Sequence, residues 1–250
     1  MLMEQTFSEA GELEKLINKR FSVKNYLVKN KSHEKILLSD DKGNCIVRCT
    51  IFKPADIEVY LRLMDVSSPN ICNILEISEQ SDRYIVYEEY CEGITLEDLG
   101  VCIGMKKALD IAIGICSGLY ALHSCQIVHR DLKPENIIIS DDNTVKILDY
   151  DAARVYKPLS DSDTRLLGTI GYAAPEQFGF QQSDSRSDLY SLCVILNMLI
   201  TGAHPSVKMC QEKHIKKILD KCLAINPAER YNDVKELSHA LCSARRRCKE

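Results

Sequence analysis

The segment that most limits what this chain can fold into is His129-Arg130-Asp131-Leu132-Lys133-Pro134-Glu135-Asn136. Asp131 is a carboxylate able to accept a proton, and Asn136, five positions on, offers an amide oxygen. Farther along, Asp149 in Asp149-Tyr150-Asp151 follows the strand-like run Val145-Lys146-Ile147-Leu148. Hard carboxylate and amide oxygens suit magnesium, which tolerates few protein ligands. A proton-accepting carboxylate beside such a metal suits phosphoryl transfer, which asks a protein mainly for positioning and charge stabilisation.

Bulk properties narrow the field. A chain of 250 residues, 45% hydrophobic and 27% charged, holds one large domain or two small ones. A core of that size needs neither disulfides nor metals. The net charge of -4 argues against nucleic acid, whose phosphates are bound by basic surfaces. The basic run Arg245-Arg246-Arg247 reads as a solvated terminus. Twelve cysteines include no Cys-x-x-Cys pair, so they are expected to be small buried hydrophobes in a reducing cytosol rather than zinc ligands. Glu4, Glu9, Glu12 and Glu14 interrupt any apolar leader. The longest apolar stretch, Leu189 to Ile200, contains Ser191 and Asn197 and falls short of the ~20 residues of a membrane span. A soluble, cytoplasmic chain is expected.

Residues 9–20 have the character of a short polar helix. From Phe21 to Tyr90 the apolar runs are short and strand-like: Tyr26-Leu27-Val28, Ile36-Leu37-Leu38, Ile46-Val47 and Tyr84-Ile85-Val86-Tyr87. Asp40-Asp41-Lys42-Gly43-Asn44 is a turn, and Ala55 to Val66 one helical interruption. After Gly93 the period changes: helices are expected over 106–123, 188–201, 215–223 and 234–243. Strands followed by helices imply an α+β fold.

These residues resemble the bacterial eukaryotic-like Ser/Thr protein kinases, from about Phe21 to Cys242. Beyond the first segment, Gly168-Thr169-Ile170-Gly171-Tyr172-Ala173-Ala174-Pro175-Glu176 matches the end of an activation segment. Arg186-Ser187-Asp188-Leu189-Tyr190-Ser191-Leu192 matches the helix beneath the catalytic loop, and Asn226-Pro227-Ala228-Glu229-Arg230-Tyr231 a late motif whose arginine pairs with Glu176. The resemblance implies a bilobal fold with a small antiparallel β-rich N-lobe and a larger helical C-lobe. The expected boundaries are an extension over 1–20, the N-lobe over 21–87, a hinge over 88–93 and the C-lobe over 94–250. It implies ATP and Mg2+ as cofactors and a protein with Ser or Thr hydroxyls as substrate. Asp131 would be the base, Lys133 with Thr169 the Ser/Thr arrangement, and Asn136 and Asp149 the magnesium ligands. Tyr87 would be the gatekeeper, Glu88 and Tyr90 would meet adenine through their backbones, and Val47, Ile138 and Leu148 would line the pocket. His129 would be a packed structural residue under Tyr150. Arg130 is of the kind that pairs with a phosphorylated activation segment, with Ser160, Ser162 and Thr164 as candidate sites.

The first strands depart from the family. The phosphate-covering Gly-x-Gly-x-x-Gly is replaced by Lys29-Asn30-Lys31-Ser32-His33-Glu34-Lys35-Ile36, with no glycine. Cys49 stands where a strand lysine normally holds the phosphates, and strand alternation puts Arg48 on the opposite face from Val47 and Cys49. The helix glutamate that partners that lysine would be Glu58, left here without its cation. Cysteine at this place resembles the with-no-lysine kinases, which recover a cation from the phosphate-loop strand. Lys31 is the first candidate, Lys35 and Lys29 the next. Two functions remain open: a Ser/Thr protein kinase, and a pseudokinase that keeps the fold as a binding or regulatory module.

Overall fold

The structure is a computed structural model describing residues 15, 17, 19–29, 33–53, 57–157, 168–179 and 183–248. They divide into two compact units. The first holds the described residues to Ser67 together with Cys72–Cys91, the second Ser68–Ile71 and the described residues from Glu92 on.

The first unit is one antiparallel sheet of β1 (Phe21–Lys29), β2 (His33–Asp40), β3 (Cys45–Phe52), β4 (Ile74–Glu79) and β5 (Arg83–Glu89), in the order β1-β2-β3-β5-β4. The turn between β2 and β3 is built by Asp40, whose carboxylate accepts from the Lys42 and Asn44 backbone N–H groups at 2.9 and 2.8 Å. The Asn44 side chain also donates to it and holds its pKa below the ordinary carboxylate value. Lys15, Ile17, Lys19 and Arg20 are helical, within the polar helix expected over 9–20, and helix α1 covers Glu58–Leu63, shorter than the expected 55–66, with residues 54–56 outside the described residues.

Register divides this sheet into two faces. Ile36 lies opposite Arg48, which lies opposite Tyr87, and this face buries Ile17, Ile36, Leu38, Ile85 and Tyr87 in a hydrophobic cluster. The other face carries Lys35, Cys49 and Val86 in one cross-strand row and Leu37, Val47 and Glu88 in the next. Strand β4 has no alternating pattern in the sequence. A bulge between Ile74 and Glu76 buries Ile74 and Ile77 while Leu75 stays exposed, which breaks the period of two.

The second unit is mainly helical. Its helices are α2 (Leu96–Leu99), α3 (Met105–Ser124), α4 (Ser185–Thr201), α5 (Lys213–Cys222) and α6 (Val234–Arg247). Side chains of Thr95, Asp184, Glu212 and Asp233 cap α2, α4, α5 and α6 by accepting first-turn N–H groups. Leu109, Ile115, Leu119 and Leu122 of α3 and Leu189, Leu192 and Leu196 of α4 are fully buried. The short strands are β6 (Ile94–Thr95), β7 (Ile127–Val128), β8 (Ile137–Ile139), β9 (Val145–Ile147) and β10 (Arg154–Val155), with sheets ordered β6-β8-β9 and β10-β7. Ser68–Ile71 belongs to this unit because Asn70 donates to the Val145 carbonyl at 2.8 Å and accepts from Ile147 N–H at 3.0 Å. Gly93, at φ 147°, leaves room for the Ile139 carbonyl that any Cβ would strike.

Helix α6 runs on through the basic cluster, where Arg246 and Arg247 are exposed. Arg245, Arg246 and Arg247 are its last turn, where positive charge complements the helix dipole, and Arg245 pairs with Asp110 at 2.6 Å. Seven of the twelve cysteines are buried and none is in a disulfide. Among the described residues there is no helix long and apolar enough to cross a membrane, and no group of three or more His, Cys, Asp or Glu that could hold a metal.

Candidate active site

In the helical unit, the loop after β7 is held from below by Asp188, on the first turns of α4. Its carboxylate accepts from the His129 and Arg130 backbone N–H groups, each at 2.9 Å, and from His123 Nε2 at 2.8 Å. Burial pushes the Asp188 pKa up, but these donors outweigh it and leave the carboxyl below its ordinary value. Asp188 thereby secures Arg130 at φ 66°, a conformation that costs a non-glycine residue on the order of 1–3 kcal/mol. His129 is wholly buried: it meets Tyr150 edge-on at 6.2 Å, and its Nε2 lies 2.9 Å from the Leu148 carbonyl. That is the structural role expected of it.

Asp131 is oriented from both sides. Thr169 donates to Oδ1 through its backbone N–H at 3.0 Å and its hydroxyl at 2.7 Å, while Lys133 Nζ stands 3.3 Å from Oδ2. Asn136 Nδ2 donates to the Asp131 carbonyl at 3.0 Å, leaving its amide oxygen for another partner. Antiparallel pairing of Ile137 with Ile147 and Ile138 with Lys146 brings Asn136 and Leu148 to the same hairpin end, where Leu148 N–H donates to the Asn136 carbonyl at 2.8 Å. Asp149, next in sequence, sits there at φ 64°. Asp131, Lys133, Asn136, Ile138, Leu148 and Asp149 are thus gathered within one unit. An acceptor carboxylate with an amide and a carboxylate oxygen nearby fits magnesium in kind and number.

Gln177 was not legible as a site residue. It is buried, donates to the Arg130 carbonyl at 2.6 Å and accepts from Ala174 N–H at 3.0 Å, tying the activation-segment end to the catalytic loop. Its position directly after Glu176 was the only available signal. Glu176 makes a bidentate pair with Arg230 at 2.7 and 2.8 Å, and Ser187 donates to it at 2.7 Å. Side-chain exposures of 5% and 0% make this a buried ion pair, as anticipated.

In the sheet unit, Lys35 on β2 lies directly opposite Cys49 on β3, on the face it shares with Val47. Its ammonium stands 3.8 Å from Glu88 Oε1, with side-chain exposures of 8% and 6%. Two expectations change. Tyr87 is on the opposite face, in the hydrophobic cluster; Val86 lies opposite Cys49 on β5, and Glu88, opposite Val47, is the next β5 residue on the face of Cys49. Glu88 also lies within the sheet ladder, opposite Val47 and Ile74, with β5 running to Glu89 and half-exposed Tyr90 beyond it. Glu58 does not lack a cation, because it accepts from Arg62 at 2.7 Å along its own helix. Arg48 faces away from Cys49, and Lys53 pairs with Glu79. Lys29 closes β1 opposite Glu34. Lys31 and the candidate phosphorylation sites Ser160, Ser162 and Thr164 lie outside the described residues.

The family described as protein kinase domain matches residues 53–248. The chain belongs to the protein kinase family. A probable serine/threonine-protein kinase of Clostridium perfringens is 30% identical over 201 residues, covering 70% of this chain and 29% of that protein. PrkC of Bacillus subtilis is 36% identical over 141 residues, covering 55% of this chain and 22% of PrkC. PknB of Mycobacterium tuberculosis is 33% identical over 182 residues, covering 62% and 29%. These relatives place the kinase domain among the bacterial eukaryotic-like Ser/Thr kinases, and the chain spans under a third of their length.

Proposed function

We propose that the chain transfers the γ-phosphoryl group of ATP to Ser or Thr hydroxyls of a protein substrate. The observation that carries this reading is the Asp131 carboxylate, held on one oxygen by Thr169 and approached on the other by Lys133. A carboxylate so oriented can receive a hydroxyl proton, the role a general base must fill within hydrogen-bond reach. Lys133 would balance charge beside it, and Asn136 and Asp149 would hold a magnesium ion, which supplies charge neutralisation at the phosphates. In the helical unit Ile138 and Leu148 are proposed nucleotide contacts, and for the sheet unit the family resemblance alone suggests Val47, Cys49 and Tyr90. Lys35 is the proposed substitute for the missing strand lysine, because it is the ammonium that shares a face and a cross-strand row with Cys49.

A second reading, a pseudokinase, is favoured by the loss of all three phosphate-loop glycines and of the strand lysine. Incubation of wild type and Asp131→Asn with radiolabelled ATP, magnesium and a Ser/Thr-containing protein separates the two. Transfer by wild type that is lost in Asp131→Asn supports the enzyme. Equal labelling in both variants, or none in either with nucleotide still bound, overturns it.

A further inference from the structure

We infer that Glu88 positions Lys35, doing from a strand what the family asks of a helix glutamate. The inference rests on Lys35 being the phosphate-binding cation. Cys49 is opposite Lys35 on one side and Val86 on the other, and Glu88, two residues beyond Val86, returns to the same face. Lys35 therefore reaches diagonally across β3 to Glu88, over a floor of Val47 and Cys49, and their charged atoms meet at 3.8 Å. Leu37, Val47, Cys49 and Val86 around the pair are all buried. In such surroundings an ammonium without a counter-charge loses its proton or swings toward water. In either event a phosphate would lose its cation.

Glu58 is drawn elsewhere. Its carboxylate is engaged with Arg62 one helical turn along, on side chains 27% and 34% exposed, whereas Glu88 is buried beside the ammonium. The position has a consequence for selectivity. A residue that acts by keeping Lys35 charged and aimed affects only ligands that carry phosphate.

Dissociation constants for adenosine, ADP and ATP, with magnesium, test this on wild type, Lys35→Met, Glu88→Gln, Glu88→Asp and the Lys35→Met/Glu88→Gln double variant. Glu88→Gln should weaken ATP and ADP about tenfold, the scale of one charge-assisted contact, and leave adenosine unchanged. Glu88→Asp should recover part of that affinity, and the double variant should be no weaker than Lys35→Met alone. Equal weakening of adenosine and ATP would mark Glu88 as structural only, and tighter ATP would mark it as a competitor for the ammonium; each overturns the inference, as does no change. Selective loss in Lys35→Met with Glu88→Gln unaffected overturns the inference and leaves the reading of Lys35 standing. Unchanged ATP binding in Lys35→Met overturns that reading itself. If Glu88→Gln does not fold, Glu88→Asp gives the same comparison of ATP with adenosine.

Discussion

Buried charge is held differently in the two units. In the helical unit Asp188 accepts hydrogen bonds of 2.8, 2.9 and 2.9 Å, and Glu176 grips Arg230 through two of 2.7 and 2.8 Å. In the sheet unit Lys35 and Glu88 face each other at 3.8 Å, beyond hydrogen-bond length. The cause lies in what supports each backbone. A sheet is held by its own ladder, so a lysine can move from β3 to β2 without loss of pairing so long as burial alternates. The loop around Asp131 has no ladder; side chains of Asp188, Thr169, Asn136 and Gln177 hold it, and replacing any of them removes a support. By the family resemblance the departures are the phosphate-loop glycines and strand lysine in the first unit and, in the second, Asp151 where a glycine usually follows Asp149-Tyr150.

The contrast can be broken most directly at Asp131. Asp131→Asn should lower the rate of phosphoryl transfer by about 10²–10⁴-fold, the usual worth of a positioned base, while its melting temperature stays close to that of wild type. A comparable loss of thermal stability would mean that Asp131 supports the loop rather than the chemistry. Next in size is the buried pair. Arg230→Ala strands Glu176 and should cost about 3–5 kcal/mol. For a chain of this size that lowers the melting temperature by on the order of ten degrees. Exposed Glu229→Ala should change it little, and equal melting of the two variants would contradict the tight geometry of the helical unit.

The sheet unit should respond to loss of its cation and recover when the cation is exchanged between strands. Lys35→Met is expected to reduce transfer by about 10²–10³-fold, as for the loss of one donor to developing charge. Cys49→Lys added to it should restore part of the activity, because the cation returns to the same cross-strand row. Cys49→Lys alone should destabilise, since it sets two like charges directly opposite each other. Kinetics and melting curves on these three variants test the equivalence of the two strands, and failure of the double variant to recover would deny it.

The smallest effect concerns Asp188. Its folded pKa is depressed, so its contribution to stability is complete above the unfolded value near 3.9 and drains away as pH falls through the lower folded value. The stability gap between wild type and Asp188→Asn, followed by thermal melts, should therefore be constant near neutrality and narrow below about pH 4. A gap that persists undiminished into strong acid would show that shape, not charge, is what Asp188 supplies.

Much of the helical unit was legible because its signals are local. Asp131 and Asn136 lie on one short loop, the periodic apolar residues of α3 and α4 announce their helices, and Glu176 and Arg230 belong to motifs whose partnership the family resemblance implies. The helix of 234–247 was expected to be shorter because arginines read as solvated, until Asp110 supplied a partner from another helix. Strand β4 was missed because its bulge erases the period on which strand recognition depends.

What the sequence determined by itself was the family and the α+β class, together with the motif residues Asp131, Asn136 and Asp149; Cys49 at a strand-lysine position is what the family resemblance implies. Tertiary structure alone decided which residue faces Cys49. Alternation sorts a strand into two sets of side chains, but a shift of one residue exchanges the sets, and only the pairing of β2, β3 and β5 says which set is which. That pairing moved Tyr87 into the hydrophobic cluster and put Glu88 beside Lys35 on the face of Cys49, because a buried ammonium and a buried carboxylate are stable in a sheet only where register brings them together.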